Sequence, residues 1–86
     1  MYRVIFSQKA SRHKALLKQS HLEKKARSLL DILISNPFQN PPSYEKLQGD
    51  LKGAYSRRIN HQHRLVYLVD EERKEVFVLS MWTHYE

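Results

Sequence analysis

Polar and apolar residues alternate with a period of two at the start of the chain, in the segment YRVIFS at residues 2–7. β-Branched and aromatic residues with this period are typical of a strand. The period then lengthens to three or four residues, weakly over residues 8–19 and clearly over residues 22–34. This spacing collects apolar side chains on one face of a helix. The first half of the chain therefore predicts one strand followed by two amphipathic helices.

Local signals mark both ends of the second helix. Ser20 and Glu23 have the spacing of a capping box, in which the two side chains bond to each other's backbone N–H groups at the start of a helix. Pro37 disfavours helical geometry in the residue before it and has no N–H to donate to the helix. We therefore predict a helix that is capped by Ser20, ends near Ser35 and Asn36, and is followed by a loop.

Alternation returns in the second half of the chain, at residues 54–60, 64–69 and 75–82. We predict a strand for each segment. The connections HQH and DEERK are short and polar, so the strands should pair as antiparallel neighbours. The order β-α-α-β-β-β predicts an α+β fold, in which an antiparallel sheet carries both helices on one face, as a single domain over residues 1–86.

Charge and composition narrow the function classes. Fifteen Lys and Arg residues against nine Asp and Glu residues give a formal net charge of +6. That balance suits RNA or DNA as a partner, because phosphate contacts dominate nucleic-acid affinity, although a basic surface also occurs without such a role. The absence of cysteine excludes disulfides and thiolate sites. No segment resembles a signal peptide or membrane span, so we expect a cytoplasmic protein without a membrane partner.

The sequence favours neither a metal nor a cofactor. His61 and His63 lie two residues apart in a predicted turn, and the spacing indicates no third ligand. The chain has no glycine-rich phosphate loop, and no serine stands in a recognisable nucleophile motif. We expect no bound metal and no cofactor.

Two arginines should meet at the predicted hairpin. If the hairpin turns around His61, Arg58 and Arg64 lie opposite each other on one face. Like charges in this position are destabilising unless an anion such as a phosphate neutralises them. The alternative is that one arginine bonds a carboxylate such as Asp50 or Glu75.

The string YEKLQGDLKGAYSRRINHQHRLVYLV, with HY near the end of the chain, resembles the YoeB/Txe branch of the RelE-like toxins of bacterial type II toxin–antitoxin systems. The resemblance covers about residues 42–85, and the order L-x-G-x-Y-S-R-R-I-x-x-x-H-R-L-V-Y is its most specific part. It implies a RelE-like fold and a ribosome-dependent endoribonuclease that cleaves mRNA in the ribosomal A site. It also implies a cognate antitoxin of the YefM or Axe kind, and a second copy of the chain as a further partner.

The resemblance implies which residues form the site. The family uses a glutamate as general base at the position of Glu45, an arginine that binds phosphate at Arg64 and a histidine as general acid at His84. We expect three substrate-binding residues beside them: Arg58, Tyr85 and Lys46.

These residue types suit RNA cleavage without a metal. RNA carries its own nucleophile, the 2′-hydroxyl, so an enzyme needs a base to take its proton, a cation for the charge on phosphorus and an acid for the departing 5′-oxygen. The expected products are a 2′,3′-cyclic phosphate and a 5′-hydroxyl.

Other interpretations are left open. One is a non-catalytic domain of the same fold that binds RNA or an antitoxin, and Glu45 together with His84 argues against it, because binding alone demands neither an acid nor a base. Another is a related toxin that acts on DNA gyrase, but such relatives lack this set of residues. A third is that His84 and Tyr85 form a surface tail after Trp82, an ordinary core residue.

Overall fold

A computed structural model of the chain describes residues 1–83. Two helices and five strands follow one another in the order β1 (Arg3–Phe6), α1 (Gln8–Gln19), α2 (Glu23–Ser35), β2 (Glu45–Lys46), β3 (Tyr55–Arg58), β4 (Arg64–Asp70) and β5 (Glu75–Thr83). A short 3-10 helix at Gly49–Leu51 precedes β3. Over residues 1–83, neither helix has the length and apolar character needed to cross a membrane.

The five strands form one sheet in the order β1-β5-β4-β3-β2. The pairs β3–β4 and β4–β5 are antiparallel, as predicted. β2, a two-residue strand that the sequence did not predict, also pairs antiparallel with β3. β1 instead lies parallel to β5, with Val4 opposite Val76 and Phe6 opposite Val78. The α+β fold is confirmed, but the sheet is mixed. The long connection that a parallel pair requires is the chain between β1 and β5, which includes both helices and three strands.

The core lies between the helices and one face of the sheet. Both helices contact β1 and β5. Successive residues of a strand point to opposite faces, so Leu65 and Tyr67 of β4 join this core while Val66 points away from the helices. The core consists of buried apolar residues: Ala10, Leu17, Ala26, Leu29, Leu33, Ile59, Leu65, Tyr67, Val76, Val78 and Met81. The helices do not cover the other face of the sheet, and the candidate site described below lies there.

The junction between the helices differs from the prediction. Ser20 is the C-cap residue of α1, and its backbone N–H donates to the carbonyl of Leu16. His21 follows with a φ of 61°, in the left-handed region where helices end. α2 then begins at Glu23 after Leu22, without a side-chain cap. The predicted capping box is wrong because α1 continues far enough to use the backbone of Ser20 for its own last turn.

A buried arginine fixes the loop between α2 and β2. Arg57 of β3 is fully buried. Its guanidinium donates to the carbonyl oxygens of Pro37, Gln39 and Pro42 at 3.0, 2.8 and 2.6 Å, respectively. The Nε–H of Arg57 donates to the hydroxyl of Tyr67 at 3.1 Å. A buried charge is tolerated when it is hydrogen-bonded in this way. The loop carbonyls, which would accept from neighbouring strands in a sheet, accept from Arg57 instead.

Tyr67 completes this arrangement. Its hydroxyl donates to the carbonyl oxygen of Pro37 at 3.0 Å. Burial raises the pKa of Tyr67, against the opposing effect of the Arg57 charge. The hydroxyl therefore keeps the proton that it donates to the loop.

We expect Arg57→Met to lower the free energy of unfolding by about 3 kcal/mol or more, because the loop carbonyls and the tyrosine hydroxyl lose their shared donor inside the protein. Urea denaturation measures this loss. Arg58→Met changes the neighbouring exposed arginine and is the matched control. It should alter the free energy of unfolding by no more than about 0.5 kcal/mol. Equal losses in the two variants would contradict a clamp formed by Arg57.

Candidate active site

The turn between β3 and β4 brings two arginines together. Arg58 and Arg64 lie directly opposite each other, as predicted. The turn is closed by the backbone N–H of Ile59, which donates to the carbonyl of His63 at 2.9 Å. The side-chain oxygen of Asn60 also accepts two backbone hydrogen bonds within the turn, at 2.9 and 2.7 Å. The two like charges are therefore held on the face of the sheet that the helices leave open.

Glu45 reaches the same place from the neighbouring strand. β2 pairs with β3 so that Glu45 lies opposite Ser56. Nη1 of Arg64 is 2.9 Å from Oε1 of Glu45 and also donates to the Oγ of Ser56 at 3.1 Å. The carboxylate partner of this arginine is thus Glu45 and neither Asp50 nor Glu75, which pairs instead with Arg3.

The two members of this ion pair differ in their solvent exposure. The side chain of Glu45 is 66% exposed, whereas that of Arg64 is 22% exposed. Such a pair contributes little to stability, because one partner is well solvated. The carboxylate is accessible to a ligand, and the arginine is held in a fixed direction beside it.

The arginine pair and Glu45 line an open cavity of about 400 Å³. Within residues 1–83, Arg58 has no carboxylate partner. An anion in the cavity would contact one cation already paired with a carboxylate and a second cation that has no such partner among the described residues. The lining side chains are Ser43, Tyr44, Glu45, Ser56, Arg58 and Arg64.

Lys46 does not line this cavity. It follows Glu45 in β2 and therefore points to the other face of the sheet, opposite Tyr55. It borders a separate groove together with Lys52. Any contact of Lys46 with substrate would therefore be made from this groove and not from the cavity.

The end of β5 lies beside the arginines. The backbone of Thr83 is opposite Arg64. His84 and Tyr85 lie outside the described residues, and their assignment stays a prediction. His84 is the next residue in the sequence after Thr83, so the chain leaves the described part at the site.

An aromatic contact holds β5 against the hairpin turn. The ring of Trp82 stacks on that of His63, with centroids 3.8 Å apart and planes 18° apart. His63 is buried, and Trp82 is half-buried against the core. The sequence analysis considered His63 as a candidate metal ligand and not as a packing residue. Its two-residue spacing from Leu65 was the signal that it faces the core.

No cluster of potential metal ligands is present in the part of the chain that the structure describes. Ser56 was also missed by the sequence analysis. It is fully buried and orients Arg64, and its place two residues before Arg58 on one strand face was the available signal.

Comparisons with known proteins bear on the family and the fold of the chain. Residues 12–85 match the model of a family described as YoeB-like toxin of bacterial type II toxin–antitoxin system. The toxin YoeB of Synechocystis sp. is 34% identical over 73 residues, which cover 85% of this chain and 76% of that protein. Among solved structures, the YoeB–YefM complex from Staphylococcus aureus gives a TM-score of 0.81 at 35% identity, with 99% of both chains covered. The YoeB dimer from the same organism gives 0.81 at 36% identity, with 98% of both covered.

We expect Arg58→Gln and Arg64→Gln each to weaken binding of a single-stranded RNA whose 2′-oxygens are methylated to prevent cleavage. Each change removes one phosphate contact, so the slope of log K against log salt should become shallower by about 1. Fluorescence anisotropy at several salt concentrations measures both quantities. Arg73→Gln, in the turn between β4 and β5 at the far end of the sheet, is the control and should leave affinity and slope unchanged. A uniform effect of all three changes would argue against a local phosphate site.

Proposed function

The chain belongs to the YoeB-like toxins of bacterial type II toxin–antitoxin systems, and on this premise we propose that it is a ribosome-dependent endoribonuclease that cleaves mRNA in the ribosomal A site. Cleavage of the message would inhibit translation. The observation that carries the proposal is the meeting of Glu45, Arg64 and the end of β5 on one open face of the sheet.

Glu45 is the proposed general base. It takes the proton of the ribose 2′-hydroxyl while the 2′-oxygen forms a bond to phosphorus. Because that hydroxyl is attached next to the phosphate that it attacks, the base and the phosphate-binding cation have to be neighbours. The 2.9 Å contact between Glu45 and Arg64 meets this requirement.

The arginines stabilise the charge that develops on the phosphate oxygens. Arg64, oriented by Ser56, is the better fixed of the two, and Arg58 supplies a second positive charge. These charges do the work that a metal ion performs in other nucleases, so we propose a reaction that needs no metal. Tyr85 and Lys46 are proposed to contact the RNA outside the reacting phosphate.

His84 is the proposed general acid. As the bond between phosphorus and the 5′-oxygen breaks, it gives a proton to that oxygen. The products are a 2′,3′-cyclic phosphate and a 5′-hydroxyl. Thr83 lies opposite Arg64, and this supports a general acid supplied by the residue that follows it.

The ribosome is proposed to position the RNA. The cavity is open and its carboxylate is two-thirds exposed, so the isolated protein does little to orient a flexible strand. Holding the reacting groups in line accounts for a large share of the rate enhancement in many enzymes. Cleavage of free RNA should therefore be slow.

The proposed partners include an antitoxin as well as the ribosome and its mRNA. The similar S. aureus protein is found in a YoeB–YefM complex and as a dimer, and we propose a YefM-like antitoxin and self-association for this chain. A net charge of +6 favours an acidic antitoxin segment that becomes ordered as it binds. We propose that this activity takes place in the cytoplasm, where ribosomes translate mRNA.

We expect Glu45→Gln and His84→Gln each to reduce cleavage of mRNA on programmed ribosomes by about 100-fold or more, because each removes one proton-transfer step. Primer extension maps the cuts, and end-group analysis identifies the cyclic phosphate. Naked RNA is tested in parallel, and Arg73→Gln serves as the control that keeps full activity. Binding to ribosomes without any cut, or cuts that both substitutions leave unchanged, would instead favour a non-catalytic binding domain.

A further inference from the structure

His13 lies on the buried face of α1 and contacts the end of β5. It is 9% exposed, and its Nδ1 accepts a 3.0 Å hydrogen bond from the backbone N–H of Met81. The other buried residues of this helix are Ala10 and Leu17. An imidazole at such a position needs a polar partner, since burial of an unpaired polar group is unfavourable. The partner that it has is a backbone group of the strand that leads to the site.

The β5 backbone needs this acceptor because the sheet is interrupted there. Val66 pairs with Ser80, but the next pair along the strands is Arg64 with Thr83. Two residues of β5 therefore face a single residue of β4, which is the arrangement of a β-bulge. β1 cannot supply the missing bond, because it ends opposite Val78.

The bulge determines where the chain goes next. Within it, Trp82 stacks on His63, and directly after it the backbone of Thr83 lies opposite Arg64. Without this one shift the chain beyond it would continue with every side chain on the opposite face, because a shift of one residue exchanges the faces. The contact with His13 holds the bulge in place from the helix side of the sheet.

We propose that His13 is a positioning residue, which accepts a hydrogen bond from the Met81 N–H to fix the bulge in β5 and so holds the backbone of Thr83 opposite Arg64 at the proposed site. The inference rests on the proposed function for the catalytic role of His84. The contact between α1 and the bulge stands independently of that role.

The same contact makes the bulge sensitive to acid. Burial lowers the pKa of His13, and the positive charges of Lys9 and Arg12 on the same helix lower it further. The ring is therefore neutral at neutral pH, and Nδ1 keeps its lone pair. A protonated imidazole has no acceptor, so the Met81 N–H would lose its partner.

Charges on the surrounding elements leave this conclusion unchanged. Lys14, Glu23 and Arg27 line a groove to which Met81 of β5 also contributes. Two cations and one carboxylate therefore lie near this end of β5. The ion pair of Arg3 with Glu75 lies at the starts of β1 and β5, at the other end of those strands. The titratable ring of the hairpin turn, His63, stacks on Trp82.

The direction of the pH effect follows from linkage. In the unfolded chain His13 has the ordinary pKa of about 6.5, whereas in the folded chain its pKa is lower. The stabilising contact is fully present above that pH and is lost as the pH falls toward the lower pKa of the folded state.

Two substitutions at His13 distinguish the effect of the hydrogen-bond acceptor from the effect of side-chain size. The side-chain oxygen of His13→Asn can take the place of Nδ1 and accept a hydrogen bond, but it does not titrate. His13→Leu fills the space and cannot accept. In the full-length protein, NMR hydrogen exchange at the Met81 amide should be protected in the wild type and in the Asn variant, and faster by about tenfold or more in the Leu variant. From about pH 7 to about pH 5, the protection factor should fall in the wild type and stay constant in the Asn variant.

Kinetics on programmed ribosomes test the positioning role. His13→Leu should lower kcat by about tenfold or more with KM unchanged, because the loss affects the reacting geometry and not the binding of the ribosome. His13→Asn should keep the wild-type kcat at neutral pH and lose part of the acid dependence. Unchanged Met81 protection in the Leu variant would overturn the contact, and lost protection with an unchanged kcat would overturn the positioning role.

The remaining outcomes are also decisive. If His13→Leu fails to fold by circular dichroism, the pH dependence of Met81 protection in the Asn variant decides alone, and a wild-type pH dependence there would overturn the proposal. If the wild-type protein cleaves nothing, the proposed function and the positioning role fail together, whereas the exchange data still test the contact between His13 and the bulge.

Discussion

A guanidinium buried without a carboxylate partner among the described residues is the constraint on which the site depends. Burying a charge is unfavourable unless hydrogen bonds replace its water, and Arg57 obtains them from three loop carbonyls and Tyr67. The loop has little regular structure of its own, and these bonds hold its course. The end of the loop brings Tyr44 and Glu45 to the edge of β3, where β2 pairs with β3 through only two residues. The carboxylate of Glu45, the proposed general base, is thus located by an interaction on the opposite face of the sheet.

Two consecutive arginines have opposite environments for a simple geometrical reason. Side chains alternate along a strand, so Arg57 points into the protein and Arg58 points into the open cavity. The same alternation separates Glu45 from Lys46. One face of the sheet is therefore devoted to packing and the other is free for chemistry, and the shared backbone keeps the two in register.

Much of the fold follows from local patterns, and the parts that do not are tertiary in origin. Period-two segments located β3, β4 and β5, and equal distance from the turn placed Arg58 opposite Arg64. The S-x-x-E pattern failed at Ser20 because the length of α1, and not the cap, decided the boundary. The approach of Glu45 to Arg64 came from family resemblance alone, since a two-residue strand has no periodic signal. His13 was missed as a structural residue, because an isolated histidine looks the same in sequence whether it faces water or a strand.

The parallel pairing of β1 with β5 bears on how the protein is made. Residues 3–6 have no strand partner until residues 75–78 are available, so the sheet joins the first part of the chain to nearly the last. Contacts of such long sequence separation form late and slow the folding of small domains. During synthesis the N-terminal strand leaves the ribosome well before its partner, and β1 cannot join the sheet until residues 75–78 have also left the exit tunnel. A protein proposed to act on ribosomes would therefore complete its sheet only once β5 has emerged from the one that makes it.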